Sequence, residues 1–199
     1  MHGDGESGAP TVEICLLGPI QAIRDGGAVR LAGQKPAALL AILALQPGRV
    51  VAADRLVDDL WAGSAPQTAM HAVQVYVSQL RKALGPVIGT RAPGYVLELD
   101  PARVDAQRFA ALASEGRETL RGGAPEVAEE LLREALALWR GPALADLTYE
   151  PFAQSEIARL DADLALGRHV VLVPELEAFV RSQPLREHPR AQLMLALYS

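Results

Sequence analysis

The sequence places a long amphipathic helix directly before a β-hairpin, and this succession limits the folds that the chain can adopt. Apolar residues within 66–84 recur at helical spacing and fall within about 100° of arc. The stripe that we expect to be buried consists of Ala69, Val73, Tyr76, Val77, Leu80 and Leu84. Gly85-Pro86 ends the helix. Alternating runs over 87–91 and 95–99 then flank the turn Ala92-Pro93-Gly94 and predict a hairpin.

The segments before this helix complete a winged helix. Short apolar runs within residues 12–31 are interrupted by Gly-Pro and Asp-Gly-Gly, which predicts a small antiparallel sheet. Apolar patterns over 36–45 and 54–61 predict two further helices. We therefore expect an α+β winged helix-turn-helix domain over residues 12–100. Residues 1–11 are Gly-rich and acidic, and we expect a disordered tail.

The second half of the chain shows helical periodicity without strand signals. Helices are expected near residues 105–120, 127–139, 156–166, 170–180 and 189–198. The apolar stripes assigned to the first two of these helices include Leu120 and Val127. Helix pairs of about this length stack into tetratricopeptide-like arrays. We therefore expect an all-α, tetratricopeptide-like domain over residues 101–199.

Charge is distributed unevenly along the chain. The formal net charge is -5, yet residues 60–97 contain no Asp or Glu, whereas Arg81, Lys82 and Arg91 all lie within them. A stretch without carboxylates is suited to contact with a polyanion such as double-stranded DNA.

The side of the third helix opposite its apolar stripe carries residue types that contact DNA. Gln and Ser bind base edges or phosphates, Val contacts a thymine methyl group, and Arg and Lys neutralise phosphates. The candidate DNA-binding residues are Thr68, His71, Gln74, Val75, Ser78, Gln79, Arg81, Lys82 and Arg91. The alternative is an ordinary solvated helix face, which would usually include acidic residues. Trp61 is expected in the core, with a phosphate contact through its indole N–H as the alternative.

Other functional classes lack their sequence signals. No P-loop, zinc-protease or nucleophile-elbow motif is present, and residues 3–8 match a dinucleotide-binding pattern without a preceding strand. Cys15 and four scattered histidines give no metal-ligand spacing. The acidic cluster over residues 126–134 is expected to be solvated. No secretory signal or membrane span is recognisable. We expect a cytoplasmic protein that is not an enzyme, with no catalytic site, metal, cofactor or membrane partner.

Short segments in both halves of the chain carry a family resemblance. They are Leu16–Pro19, Ala38–Ala41, Arg49–Val51, Asp54–Leu56, Leu60-Trp61, Val75–Gly85, Pro93–Tyr95, Leu131–Leu144, Glu150–Ala153, Ala165–His169 and Pro184–Glu187. Together they resemble the antibiotic regulatory protein family of actinomycetes, the SARP-type activators. The resemblance implies an OmpR-like winged helix joined to a bacterial transcriptional activation domain. It also implies a regulator that binds direct repeats upstream of a promoter, in more than one copy, and recruits RNA polymerase.

The resemblance also assigns positions on the recognition helix. It places Gln74, Val75, Ser78, Gln79 and Arg81 on groove-facing positions, Lys82 beside them and Arg91 on the wing. Gln79 replaces an Arg that the family often has, which should lower affinity for DNA. Lys35-Pro36 replaces a more basic start of the first helix. The OmpR-type fold is the one link to phosphorelay control.

The helical half is shorter than the family pattern. About a dozen residues of helix are missing after Leu160, and Ser199 precedes the remaining repeats, so Leu193, Met194 and Leu197 are expected to be poorly covered. An incomplete activation domain leaves a second hypothesis open. In it, the chain is a truncated interaction module, possessing weak DNA binding of its own, that modulates a longer regulator in a homo-oligomer or hetero-oligomer.

Overall fold

The computed structural model describes residues 10–165. The strands are β1 (Val12–Cys15), β2 (Gln21–Arg24), β3 (Gly27–Val29), β4 (Val51–Ala52), β5 (Ile88–Arg91) and β6 (Gly94–Leu97). The helices are α1 (Gln34–Ala44), α2 (Ala53–Trp61), α3 (Ala69–Leu84), α4 (Asp105–Arg121), α5 (Pro125–Ala137) and α6, which is helical from 151 to the last described residue, 165. The predicted fold class, a winged helix-turn-helix followed by helices, is confirmed. Predictions for residues 1–9 and 166–199, including the last two helices, lie outside the described residues.

Two antiparallel sheets frame the first three helices, in strand orders β1-β2-β3 and β4-β6-β5. The first sheet begins at Val12, as expected, but Thr11, which was assigned to the tail, exchanges hydrogen bonds with Asp25 at 2.8 and 2.9 Å. The second sheet contains the predicted hairpin together with β4, which was not predicted. Gly94 allows β4 and β6 to approach, since a Cβ there would lie 1.9 Å from the carbonyl oxygen of Val51.

Helix α3 buries the stripe that the periodicity predicts. Its buried residues are Ala69, Val73, Val77, Leu80 and Leu84. Tyr76 is half-buried and stacks on Trp61 of α2, with ring centroids 6.4 Å apart. Trp61 is therefore also half-buried rather than a core residue. The helix begins three residues later than expected, because Ala69 N–H closes a turn onto the carbonyl of Pro66 and Thr68 precedes the helix.

Backbone contacts divide the described chain into two compact units. The first unit comprises residues 10–107 and 141–154, and the second comprises 108–140 and 155–165. The winged helix lies in the first unit. The domain boundary expected between residues 100 and 101 stays a prediction.

Residues 141–154, which we call the return segment, belong to the first unit although they follow α5. The N–H groups of Leu144 and Ala145 donate to the carbonyls of Leu16 and Gly18 at 2.8 and 3.2 Å. The Asp146 carboxylate accepts a 2.7 Å hydrogen bond from the backbone N–H of residue 20. No sequence signal predicted these long-range contacts.

The second unit is organised around the packing of α4 against α5. Gly116 lies against Leu132, because a Cβ on the glycine would come within 2.8 Å of the leucine Cγ. Phe109 meets Trp139 edge to face, with ring centroids 5.4 Å apart. Leu120 and Val127 belong to the apolar stripes that indicated these two helices, and they are 36% and 51% exposed. Both residues lie beside the turn between the two helices.

Candidate nucleic-acid interface

The outer face of α3 is the side opposite its buried stripe, extended by the residue that precedes the helix. It consists of Thr68, His71, Gln74, Val75, Ser78, Gln79 and Lys82, all of which are exposed. Val75 is 38% exposed. Within residues 10–165, the side chains of Gln74, Gln79 and Lys82 form no hydrogen bond or ion pair with the protein. Their donors and acceptors are therefore available to a ligand.

The charge of this face comes entirely from cations. The helix carries no acidic residue in its first turn, and Arg81 and Lys82 lie in its last turn. Neither a carboxylate in the first turn nor a side-chain cap from Thr68 offsets the positive end of the helix dipole at the start of α3. Both features favour an anionic partner along the helix.

Arg81 connects α3 to the wing, which is the β5–β6 hairpin. Its Nε donates to the carbonyl of Ile88 at 2.8 Å, and its Nη2 donates to the Thr90 hydroxyl at 2.7 Å. A guanidinium has five N–H donors, so these two bonds leave donors for a phosphate. Arg81 therefore stabilises the position of the wing against α3, and it also places a positive charge at the edge of the outer face.

Arg91 lies at the end of β5, next to the turn of the wing. Its side chain is 63% exposed, and its Nη2 lies 2.7 Å from the Oε1 of Glu98. The register pairs Gly89 with Val96, so Arg91 and Glu98 project from the same side of the hairpin. The sequence patterns did not single out Glu98 or Thr90, although the alternation of the hairpin places Glu98 on the same side as Arg91.

Within residues 10–165, no group of three or more His, Cys, Asp or Glu side chains is arranged to hold a metal ion. No helix in this part of the chain has the length and apolar character needed to cross a membrane. The outer face of α3 and the wing present exposed polar and cationic side chains, which are suited to contact with a polyanion.

Two known families match this chain, in the order of its two halves. Residues 27–97 match the family described as "Transcriptional regulatory protein, C terminal". Residues 104–199 match the "Bacterial transcriptional activator domain".

Relatives cover nearly the whole chain. Regulatory protein DnrI of Streptomyces peucetius is 36% identical over 94% of this chain, which spans 78% of DnrI. Regulatory protein AfsR of Streptomyces coelicolor is 39% identical over 97% of this chain, which spans 20% of AfsR. A solved structure of Mycobacterium tuberculosis EmbR, in complex with a low-affinity phosphopeptide, superposes with a TM-score of 0.80 at 32% identity. That match covers 96% of this chain and 55% of the EmbR chain.

DnrI is matched over most of its own length, and both family domains occur in the expected order. The chain therefore belongs to the SARP family of DNA-binding transcriptional regulators.

Proposed function

We propose that this chain is a sequence-specific transcriptional activator that reads DNA in the major groove with the outer face of α3 and contacts the DNA backbone with the wing. The observation that carries the proposal is the exposure and lack of acidic residues on that face. Its polar side chains are exposed, they lack partners within residues 10–165, and the whole stretch 60–97 contains no carboxylate. A solvated face would have acids to balance its cations.

The proposed roles follow from the side-chain chemistry. Gln74, Ser78 and Gln79 hydrogen-bond to base edges or phosphates, and Val75 contacts a thymine methyl group. Lys82 and Arg91 neutralise phosphates, as does Arg81 with its remaining donors. Thr68 and His71 contact the DNA at the N-terminal end of the helix. Each role is assigned to an exposed or half-buried side chain of the first unit.

Assembly and activation form the second part of the proposal. Two or more copies bind direct repeats upstream of a promoter, and the helical half recruits RNA polymerase. The match of residues 104–199 to a transcriptional activator domain supports this part. The chain then acts in the cytoplasm, where the bacterial chromosome lies.

The test is to select duplexes that bind the whole chain from a random pool and to measure affinity at about 50 and 200 mM salt. We expect direct repeats among the selected sequences and a fall in log affinity of about 0.9 per phosphate contact for each unit of log salt. Arg91→Ala should weaken binding to every sequence and flatten the salt slope by about 0.9.

Arg103→Ala is the matched control. Arg103 forms a similar exposed ion pair, 2.8 Å from Glu13, but it pairs with the first sheet rather than the wing. The control should bind DNA like the unchanged chain. If DNA affinity is weak and insensitive to salt while a longer regulator co-purifies with the chain, the activator proposal fails and the truncated interaction module takes its place.

A further inference from the structure

The wing carries one feature that opposes DNA binding. Glu98 is the first carboxylate after the acid-free stretch 60–97. Its Oε1 lies 2.7 Å from the Nη2 of Arg91, the cation that the wing offers to DNA. An acid at this position places a negative charge where a phosphate would bind.

The hairpin is shaped to allow this contact. Glu98 N–H donates to the carbonyl of Val87 at 2.8 Å, so Glu98 lies opposite Val87, and its side chain must cross Gly89 to reach Arg91. A Cβ on Gly89 would lie 2.6 Å from Glu98 Oε1 and 2.8 Å from Glu98 Cδ. The backbone of Gly89 is not in the left-handed region, so what glycine supplies at this position is space.

We propose that Glu98 acts as an internal competitor for the DNA phosphate that Arg91 binds. This inference rests on the proposed function, since it concerns the same wing contact. Carboxylate and phosphate are alternative acceptors for the same guanidinium donors. In the free protein the Glu98 carboxylate is paired with the Arg91 guanidinium. When DNA binds, a phosphate replaces the carboxylate as the partner of Arg91. Glu98 thereby lowers the affinity of the wing for any DNA sequence.

The size of the effect follows from the exposure of the pair. Arg91 and Glu98 are 63% and 42% exposed, and exposed ion pairs contribute little because water and salt screen them. Removing the competing charge should therefore tighten DNA binding by about 2- to 5-fold.

The experiment measures binding of a fluorescein-labelled, mixed-sequence duplex to the whole chain at about 50 mM salt, where phosphate contacts contribute most. Glu98→Gln should tighten binding by about 2- to 5-fold, and Arg91→Ala should abolish that gain when the two changes are combined. Glu13→Gln is the matched control, because it removes the same charge from the similar pair with Arg103. It should leave the affinity unchanged.

A second variant tests the exchange without altering charge. Gly89→Ala forces the end of the Glu98 side chain away from its position over the strand. It should also tighten binding, and unchanged or weaker binding by a variant whose thermal unfolding matches that of the unchanged chain would overturn the inference.

The outcomes separate the two proposals. If the unchanged chain does not bind the duplex, the proposed function and this inference both fail. If it binds and Glu98→Gln binds equally or more weakly, only the inference about Glu98 fails. An equal gain from Glu13→Gln would also overturn it, because net charge alone would then explain the change.

Discussion

Helices α3 and α5 are both held in the protein by a buried apolar stripe, but their exposed faces differ in charge. Each buries an apolar stripe, represented by Val77 and Leu80 in α3 and by Leu132 and Ala135 in α5. Burial of such stripes supplies most of the stability of a helix in a folded protein. The inner faces therefore explain where the helices lie and say nothing about what they bind.

The difference is in how the outward charges are balanced. The acidic residues of α5 are Glu126, Glu129, Glu130 and Glu134. Glu129 pairs with Arg133 in the next turn, and Glu134 pairs with Arg108 of α4. The outer face of α3 has no such balance within residues 10–165. Charge must thus be examined one helix face at a time, because the net charge of -5 would have pointed away from DNA.

Adding carboxylates to the outer face of α3 should remove its difference in charge from α5. This change should produce the largest loss of DNA affinity. Gln74→Glu combined with Gln79→Glu should weaken DNA binding by about 100-fold or more, because like charges facing each other cost several kcal/mol. Fluorescence anisotropy with a selected duplex measures this. Both residues are exposed, so the free energy of unfolding should change by less than about 0.5 kcal/mol.

The matched control removes carboxylates from α5. Glu126→Gln combined with Glu130→Gln alters two exposed residues by the same magnitude of charge and should change DNA affinity by less than about 2-fold. Undiminished binding by the α3 variant would show that α3 does not face DNA.

Gln74→Ala should give the next largest effect, and only for one base pair. Loss of a base contact costs about 1 to 3 kcal/mol of discrimination, which is about 5- to 150-fold in relative affinity. Duplexes with each position of the selected site altered in turn will measure it. Lys82→Ala is the comparison, because it should weaken all the duplexes alike. A uniform effect of Gln74→Ala would reject Gln74 as a base reader.

Arg81→Lys keeps the positive charge but should still weaken binding, by about 5-fold. A lysine lacks the planar fork that reaches Ile88 and Thr90 together, so the wing loses about 1 kcal/mol of hydrogen bonding. Chemical denaturation and DNA titration of the same variant measure both losses. Thr90→Ala removes only the hydroxyl acceptor and should show a smaller change in the same direction. Wild-type affinity in Arg81→Lys would mean that charge alone matters at this position.

The smallest effect is expected in the second unit. Arg108 and Glu134 are 49% and 50% exposed, so Arg108→Ala should lower the free energy of unfolding by less than about 1 kcal/mol. DNA affinity should remain unchanged. A large change in affinity would show that the comparison between α3 and α5 omits a contribution of α4 to binding.

Local sequence patterns were sufficient for much of the winged helix. The hairpin was predicted because Ala92-Pro93-Gly94 separates two alternating runs, and the end of α3 because Gly85 adopts a φ of 89° that few other residues tolerate. The exposure of Gln74 and Lys82 followed from helical geometry alone. The start of α3 was misplaced because Pro66 suits the first turn of a helix as well as the turn that precedes it.

Contacts between distant residues could not be read from local patterns. Strand β4 has two residues, and it forms only because β6 lies beside it. The side-chain bonds of Arg81 depend on the distance between a helix and a strand, which periodicity does not encode. Leu120 and Val127 have helical spacing, yet nothing in that spacing shows where the packing between two helices ends.

The segment Leu16–Gly18 forms hydrogen bonds with the chain both at the start of α4 and after the end of α5. Asp105 accepts hydrogen bonds from the N–H groups of Leu16 and Leu17 at 2.6 and 3.0 Å, and Leu144 returns to the carbonyl of Leu16. The intervening residues thus form a closed loop, both ends of which are hydrogen-bonded to this segment. Such a loop can unfold and refold locally without a new search for its anchor points. Hydrogen exchange should therefore be slower at Leu16, Leu17 and Leu144 than in the helices between them.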